Sequence, residues 1–219
     1  MSVFIDLDMT LTEERSIQVI DRELGLMGRT LEILKLPIPE EEKSRKIASI
    51  LAGRRMDDVL SAARKTRMSP CSKEIIESFI KRGFEVNIVT LSYRQVAEAI
   101  LSNMGFLNRV KIHAPILEVD ESNKITGRVL LRSNIIETPW CIRCPVCKRE
   151  VSRKMKREPS IGIGDSLPDL CMHFETDIFI LIDRGNIPNG LERYATHISS
   201  DLCSAHAYLE NILNGGARS

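Results

Sequence analysis

The sequence predicts an α/β fold, a doubly wound parallel sheet with a small helical segment inserted after the first strand. Three observations support this fold class. The chain opens with an apolar run at residues 2–5 that is typical of a strand. Strand and helix patterns alternate from residue 69 onward, which favours a parallel sheet with helices on its faces. Between these regions, residues 13–67 contain only helical patterns. A chain of 219 residues can hold such a core together with an insertion.

The inserted segment is predicted from apolar residues at three- and four-residue spacing. This spacing predicts one helix over residues 13–36, which ends before Pro37. A second helix opens at Pro39 and the glutamates that follow it, and the pattern continues over residues 56–67. The predicted units are a core of residues 1–12 and 68–219 and an inserted helical domain of residues 13–67.

The remaining elements follow from alternating periodicities separated by turn residues. Gly83 and Gly105 each stand between a helical pattern and a strand pattern. Two alternating runs around a polar turn predict a hairpin over residues 116–129. The other predicted helices span residues 73–81, 93–103, 146–157 and 203–213, and the other predicted strands span residues 84–89, 110–113, 160–164 and 177–182, with a last strand near His197.

Charge and composition exclude several classes of function. The net charge is +1 at pH 7, and acidic and basic residues are interspersed. This distribution does not favour binding to nucleic acid or to an anionic membrane. No apolar run reaches membrane-spanning length, and no basic segment precedes an apolar stretch at the start. We therefore expect a cytoplasmic protein with a small-molecule partner, and the oligomeric state stays open.

Six cysteines are too few for a disulfide scaffold in a chain of this size, so reduced thiols are expected. Cys141, Cys144 and Cys147 form a Cys-x-x-Cys-x-x-Cys cluster. It could bind Zn²⁺ with a fourth ligand such as Cys171 or a histidine, serve a redox function, or hold ordinary structural thiols. Because a cationic stretch follows the cluster, the thiols are expected to have lowered pKa values.

Asp6 and Asp8 end the first predicted strand. Residues i and i+2 of a strand point the same way, so the two carboxylates are expected to converge. Like charges this close repel unless a cation lies between them, and hard divalent cations such as Mg²⁺ take oxygen ligands. The alternative is an ordinary strand-to-loop turn, in which Asp is common.

Residues of three later segments could belong to the same site. Thr90 follows the next core strand beside a helix N-terminus, which favours a phosphate. Lys148 opens a helix, where a cation opposes the helix dipole unless an anion is near. Gly164 and Asp165 end an apolar strand, and Asp169 follows four residues later. Taken singly, Thr90 could be a helix cap and Lys148 a solvated lysine.

In this order, Asp-x-Asp-x-Thr, Thr, Lys and Gly-Asp-x-x-x-Asp, the chain resembles the haloacid dehalogenase (HAD) superfamily of phosphohydrolases. The most similar branch is the one that includes phosphoserine phosphatases. The resemblance implies a Rossmann-like core, a cap formed by the helical insertion, and Mg²⁺-dependent hydrolysis of a small phosphorylated metabolite.

The resemblance also implies a role for each residue. Asp6 would be the nucleophile that forms an aspartyl-phosphate, and Asp8 the general acid and base. Thr90 and Lys148 would bind the transferring phosphoryl group. Mg²⁺ would be held by Asp6, the backbone carbonyl of Asp8 and Asp165, with support from Asp169.

Two departures from this branch bear on the substrate. Thr90-Leu91-Ser92 stands where the branch usually has Ser-Gly-Gly, and Arg15 stands where it has a substrate-binding glutamate. We therefore expect phosphoserine to be a poor substrate, unless Glu13 or Glu14 replaces that acid.

Other interpretations remain open. Arg54 and Arg55 could meet an anionic group of the substrate or could simply be exposed. A phosphotransferase of the same fold, or a zinc-stabilised binding module without catalysis, are the alternative functions.

Overall fold

The computed structural model describes residues 1–131, 134–185 and 187–215, and these contain eight strands and nine α-helices. The strands are β1 (Ser2–Ile5), β2 (Glu85–Val89), β3 (Lys111–His113), β4 (Ile116–Val119), β5 (Ile125–Leu130), β6 (Ser160–Gly164), β7 (Ile178–Ile182) and β8 (His197–Ser199). The helices are α1 (Ser16–Glu23), α2 (Arg29–Leu34), α3 (Glu40–Leu51), α4 (Met56–Ala63), α5 (Ser72–Lys81), α6 (Arg94–Asn103), α7 (Lys148–Met155), α8 (Leu167–Leu170) and α9 (Leu202–Gly215).

Six of the described strands form one parallel sheet in the order β3-β2-β1-β6-β7-β8. Strands β1 and β6 are buried over their whole length, as expected of parallel strands covered by helices. Strands β4 and β5 pair with each other as an antiparallel hairpin. The predicted fold class is therefore confirmed. None of the helices described is both long enough and apolar enough to cross a membrane.

The single helix predicted over residues 13–36 is wrong, because α1 and α2 are separate. Gly25 and Gly28 between them have φ angles of 63° and 78°, a left-handed conformation that breaks the helix. The Asp21 carboxylate accepts the backbone N–H of Gly28 at 2.7 Å and that of Thr30 at 2.9 Å. Met27, which belonged to the apolar pattern, is 92% exposed.

The helical insertion leaves the core and returns to it at one place. The backbone N–H of Glu13 donates to the carbonyl of Arg67 at 3.0 Å, and that of Ser69 donates to the carbonyl of Leu11 at 2.9 Å. Two adjacent linkers are what an inserted unit requires. The domain boundaries at 12/13 and 67/68 stay a prediction that agrees with this geometry. Residues 132–133, 186 and 216–219 of the predicted core lie outside the described residues.

The β4–β5 hairpin, which lies in the predicted core by sequence, packs on the helical insertion. The N–H of Gly53 donates to the carbonyl of Ile125 at 2.8 Å, and the N–H of Met56 donates to that of Asn123 at 2.9 Å. A Cβ added at Gly127 would lie 3.1 Å from the Cβ of Ala52. The hairpin therefore packs against the turn between α3 and α4 and supports it.

A disulfide between Cys71 and Cys203 links the start of α5 to α9. An ion pair between Arg82 and Glu210, 2.7 Å from nitrogen to oxygen, joins the other end of α5 to α9. The expectation that all thiols are reduced is therefore wrong. The two cysteines are 132 residues apart, so no local spacing in the sequence marks them as partners.

Removal of this disulfide is expected to destabilise the protein. The double substitution Cys71→Ala with Cys203→Ala should lower the free energy of unfolding by about 2–5 kcal/mol, because the crosslink restricts a long loop of the unfolded chain. Urea unfolding of the oxidised protein, the reduced protein and the double variant measures this. The last two should unfold at the same lower urea concentration. Equal midpoints for all three would contradict the prediction.

Candidate active site

Six of the residues predicted from the motifs line one cavity of 180 Å³ at the carboxyl edge of the sheet. Strand β1 pairs with both β2 and β6, with Ile5 opposite Ile88 and Ile163. The chain segments that leave these three strands therefore meet at one edge. The residues brought together are Asp6, Asp8, Arg15, Thr90, Lys148 and Asp165.

Lys148 is the buried cation at the centre of the site. It is the first residue of α7 and is only 2% exposed. Its ammonium group pairs with the carboxylates of both Asp6 and Asp169. Burial alone would lower the pKa of Lys148, but Asp169 and Asp6 outweigh it and raise that pKa. Lys148 therefore stays charged, and it is not a solvated lysine.

Three carboxylates crowd around this ammonium group. Asp6, Asp165 and Asp169 each place one oxygen within 4.8 Å of the others. The Thr10 hydroxyl donates to Asp165 at 3.3 Å. Gly164 makes room for the cluster, because a Cβ added there would lie 2.3 Å from the Cβ of Asp169. A glycine before Asp165 is thus needed for the approach of Asp169.

The cluster carries more negative charge than the protein neutralises. Three carboxylates against one ammonium leave an excess of two negative charges if all four groups are ionised. Burial raises the pKa of Asp6 well above its ordinary range, against the opposing effect of Lys148 and with further repulsion from Asp169. Burial, followed by repulsion from Asp169, raises the pKa of Asp165 to about 7. A divalent cation would relieve both effects.

Asp8 is not one of the three clustered carboxylates, and its side chain is bound by Ser16. One carboxylate oxygen of Asp8 accepts the backbone N–H of Ser16 at 2.9 Å, and the other accepts its hydroxyl at 3.1 Å. The Ser16 oxygen also lies 2.9 Å from the hydroxyl oxygen of Ser92. Burial raises the pKa of Asp8, although the hydrogen bonds from Ser16 oppose this. Sequence reasoning missed Ser16, since a serine at the start of a helix carries no signal of what it faces.

Thr90 is 1% exposed and lies just after β2. Its backbone N–H donates to the carbonyl of His113 at 3.1 Å, which extends the pairing of β2 with β3. Its hydroxyl oxygen accepts the N–H of Ser92 at 3.1 Å. Leu91 and Ser92 line the same cavity, so the whole turn borders it.

Arg54 and Arg55 do not line this cavity, so their predicted contact with the substrate lacks support. Both are exposed at the corner between α3 and α4, which the hairpin occupies. The Arg55 guanidinium pairs with Asp57 at 3.1 Å. Both residues therefore fit the alternative stated from the sequence, that they are simply exposed on the surface.

The structure also does not support the predicted zinc site at Cys141, Cys144 and Cys147. Among the His, Cys, Asp and Glu residues described, the three aspartates of the cluster are the only group of three or more whose ligand atoms lie within 4.8 Å of one another. The Cys147 sulfur instead accepts the N–H of Glu150 at 3.5 Å, as the N-cap of α7. Burial raises the pKa of the Cys144 thiol, so the expected lowering is wrong there.

Solved structures share the whole fold. A phospho-aspartyl intermediate analogue of phosphoserine phosphatase matches with a TM-score of 0.72 and 21% identity over 94% of this chain and 97% of that one. A substrate-bound phosphoserine phosphatase complex matches with a TM-score of 0.71 and 20% identity over 94% and 96%. A phosphoserine phosphatase from T. onnurineus matches with a TM-score of 0.70 and 20% identity over 96% and 94%.

These identities are low enough that the likeness establishes the fold alone. No curated protein sequence matches the chain. The model of the family described as haloacid dehalogenase-like hydrolase matches residues 3–173, which include every motif residue of the cavity. The chain therefore belongs to the haloacid dehalogenase-like hydrolase family, as the order of its motifs predicted.

Proposed function

We propose that the protein is a Mg²⁺-dependent phosphomonoester hydrolase that acts on a small phosphorylated metabolite through an aspartyl-phosphate. The observation that carries this proposal is the buried contact of Asp6 with Lys148 beside two further carboxylates, at the core end of a cavity. A structural ion pair needs neither the excess of negative charge nor the cavity. The phosphoserine phosphatase structures with the same fold agree with this activity.

Asp6 and Asp8 divide the chemistry between them. An oxygen of Asp6 attacks phosphorus, and the bond from phosphorus to the alcohol oxygen breaks. Asp8 donates its proton to that oxygen, and the raised pKa of Asp8 favours the protonated form that this step needs. Water then attacks the aspartyl-phosphate, Asp8 accepts the proton of that water, and inorganic phosphate leaves with Asp6 restored.

Lys148 and Thr90 stabilise the transferred group. Lys148 lies against Asp6. Its ammonium group is therefore placed to offset negative charge on the phosphoryl oxygens while the phosphoryl group passes from the alcohol oxygen to Asp6. The Thr90 hydroxyl already accepts the N–H of Ser92, which leaves its proton available to a phosphoryl oxygen. Such preorganised contacts are the main contribution of a protein to phosphoryl transfer.

The acidic cluster fits Mg²⁺, which prefers carboxylate and carbonyl oxygens. Asp6, Asp165 and the backbone carbonyl of Asp8 would hold it. Both oxygens of Asp169 are already engaged, one by Lys148 and the other by the N–H of Ser166 at 2.9 Å, so Asp169 would support the site. Bound there, Mg²⁺ would neutralise charge on the cluster and polarise a phosphoryl oxygen.

The helical insertion is proposed as the cap of this site. Its helices α1, α2 and α3 contribute cavity residues, among them Ile17, Leu34 and Lys43. Tyr93 of the core donates its hydroxyl to the carbonyl of Ser44 on α3 at 2.6 Å, which joins the two units beside the cavity. The cap would exclude water and select the alcohol part of the substrate.

Metal removal tests the proposal. With p-nitrophenyl phosphate as substrate, activity should vanish after dialysis against a chelator and return with Mg²⁺, because the carboxylates repel both each other and the phosphate. Nitrophenol and inorganic phosphate should form in equal amounts. Less phosphate than nitrophenol in the presence of an added alcohol would indicate a phosphotransferase. Activity unchanged by exhaustive chelation would contradict the metal requirement.

A further inference from the structure

The cavity has two chemically different ends. The core end carries the acids and Lys148, whereas the cap end is lined by apolar side chains of α1, α2 and α3, namely Ile17, Ile20, Leu34 and Ile47. The volume of 180 Å³ is below the roughly 300 Å³ at which sites for drug-sized ligands begin. This volume and lining favour an alcohol part that is compact and has an apolar face.

Two of the three charged residues near the cap end neutralise each other. Lys43 and Glu40 are one turn apart on α3, and the Lys43 nitrogen lies 2.7 Å from a Glu40 oxygen. Their side chains are only 13% and 22% exposed, so the pair is shielded from water. A substrate ammonium group would have to displace Lys43 to reach Glu40.

Arg15 is the remaining charge, and nothing in the described part of the protein pairs with it. Its half-buried side chain lines the cavity at the start of α1, and none of the hydrogen bonds or ion pairs of the described residues involves its guanidinium. Arg15 directly precedes Ser16, whose N–H and hydroxyl bind the carboxylate of Asp8, so it enters the cavity beside the proposed proton donor to the leaving alcohol. A guanidinium presents a planar fork of donors that matches a carboxylate.

We propose that the site selects a compact phosphomonoester whose alcohol part carries a carboxylate beside a short apolar chain, with Arg15 as the residue that binds the carboxylate. This inference rests on the proposed phosphatase activity. The apolar chain lies against Ile17 and Ile47 of the cap, and the phosphoryl group lies against Asp6. A substrate with an ammonium group in place of the carboxylate is repelled by Arg15.

Three esters that differ only at the end of a three-carbon chain test the proposal: 3-phosphooxypropanoate, propyl phosphate and 3-aminopropyl phosphate. The value of kcat/KM should fall in that order, by about 10- to 100-fold from the first to the second, the range for hydrogen bonds to a charged group. Arg15→Gln should bring the ratio of the first two close to one, and Arg15→Glu should make the amino ester the better substrate. Arg22→Gln, an exposed arginine on the same helix that pairs with Glu14, is the matched control and should keep the wild-type ratio.

The outcomes separate this inference from the proposed function. Failure to hydrolyse p-nitrophenyl phosphate or any ester would overturn the phosphatase proposal itself. Equal kcat/KM values for 3-phosphooxypropanoate and propyl phosphate would overturn only the role of Arg15. So would a preference for the carboxylate ester that persists in Arg15→Gln. An equal loss of kcat/KM for all three esters in Arg15→Gln would mean that Arg15 binds the phosphoryl group. This result would also overturn the role proposed for Arg15. If kcat/KM for phosphoserine exceeded that for all three esters, the Glu40–Lys43 pair would be the binding site for both ends of an amino acid, and the proposal would be wrong.

Discussion

Substitution of Asp6 by Asn is expected to abolish turnover while leaving the protein folded. The amide keeps the shape of the side chain at the end of β1, but its oxygen is a poor nucleophile toward phosphorus. The loss of kcat should be roughly 10⁴- to 10⁶-fold, the scale seen when a hydrolase loses its nucleophile. Mass spectrometry of acid-quenched protein should detect an added phosphoryl group in the wild type and none in the variant.

The matched control is Asp120→Asn. Asp120 is an exposed aspartate in the hairpin turn, where its carboxylate accepts backbone N–H groups that an amide oxygen can also accept. This variant should keep wild-type turnover. Retention of wild-type turnover by Asp6→Asn would show that the assigned nucleophile is wrong, and circular dichroism of both variants would exclude unfolding as the cause of any loss.

The core of the site could be predicted because parallel topology converts sequence order into proximity. Asp6 and Asp165 are far apart in sequence, but each directly follows a buried strand, and β1 and β6 are neighbours in the sheet. Residues at the carboxyl ends of neighbouring parallel strands must lie close together. The same argument placed Thr90 after β2. For these residues, the strand pattern alone determines the edge at which they meet.

Features that depend on packing between distant segments could not be predicted. The partner of Cys71 is set by how α5 and α9 lie together, and no spacing in the chain encodes that. The break between α1 and α2 was hidden because apolar spacing continued through Met27, which is exposed. The contact of Ser16 with Asp8 could not be predicted, because it depends on how α1 lies against the end of β1. Apolar periodicity records burial along one element, whereas these features require the position of a second one.

Lys148→Met is expected to reduce both stability and catalysis. Lys148 is the one described cation that pairs with Asp6 and Asp169, and its removal leaves two buried carboxylates without a counter-charge. Breaking a buried pair in this way destabilises a protein by about 3–5 kcal/mol. Loss of the ammonium group should also raise the barrier to phosphoryl transfer by about 2–4 kcal/mol, as for one preorganised contact. Urea unfolding and kcat measure the two effects separately.

Two further variants decide whether unpaired charge causes the loss of stability. Arg153→Met removes an exposed cation of the same helix that takes part in none of the ion pairs of the described residues, so it should change stability by no more than about 0.5 kcal/mol. Adding Asp169→Asn to Lys148→Met removes one stranded carboxylate, so it should recover part of the stability without recovering kcat. If the double variant were less stable than Lys148→Met, hydrogen bonding by Asp169 to the N–H groups of Asp165 and Ser166 would matter more than its charge, and the electrostatic account of the cluster would be wrong.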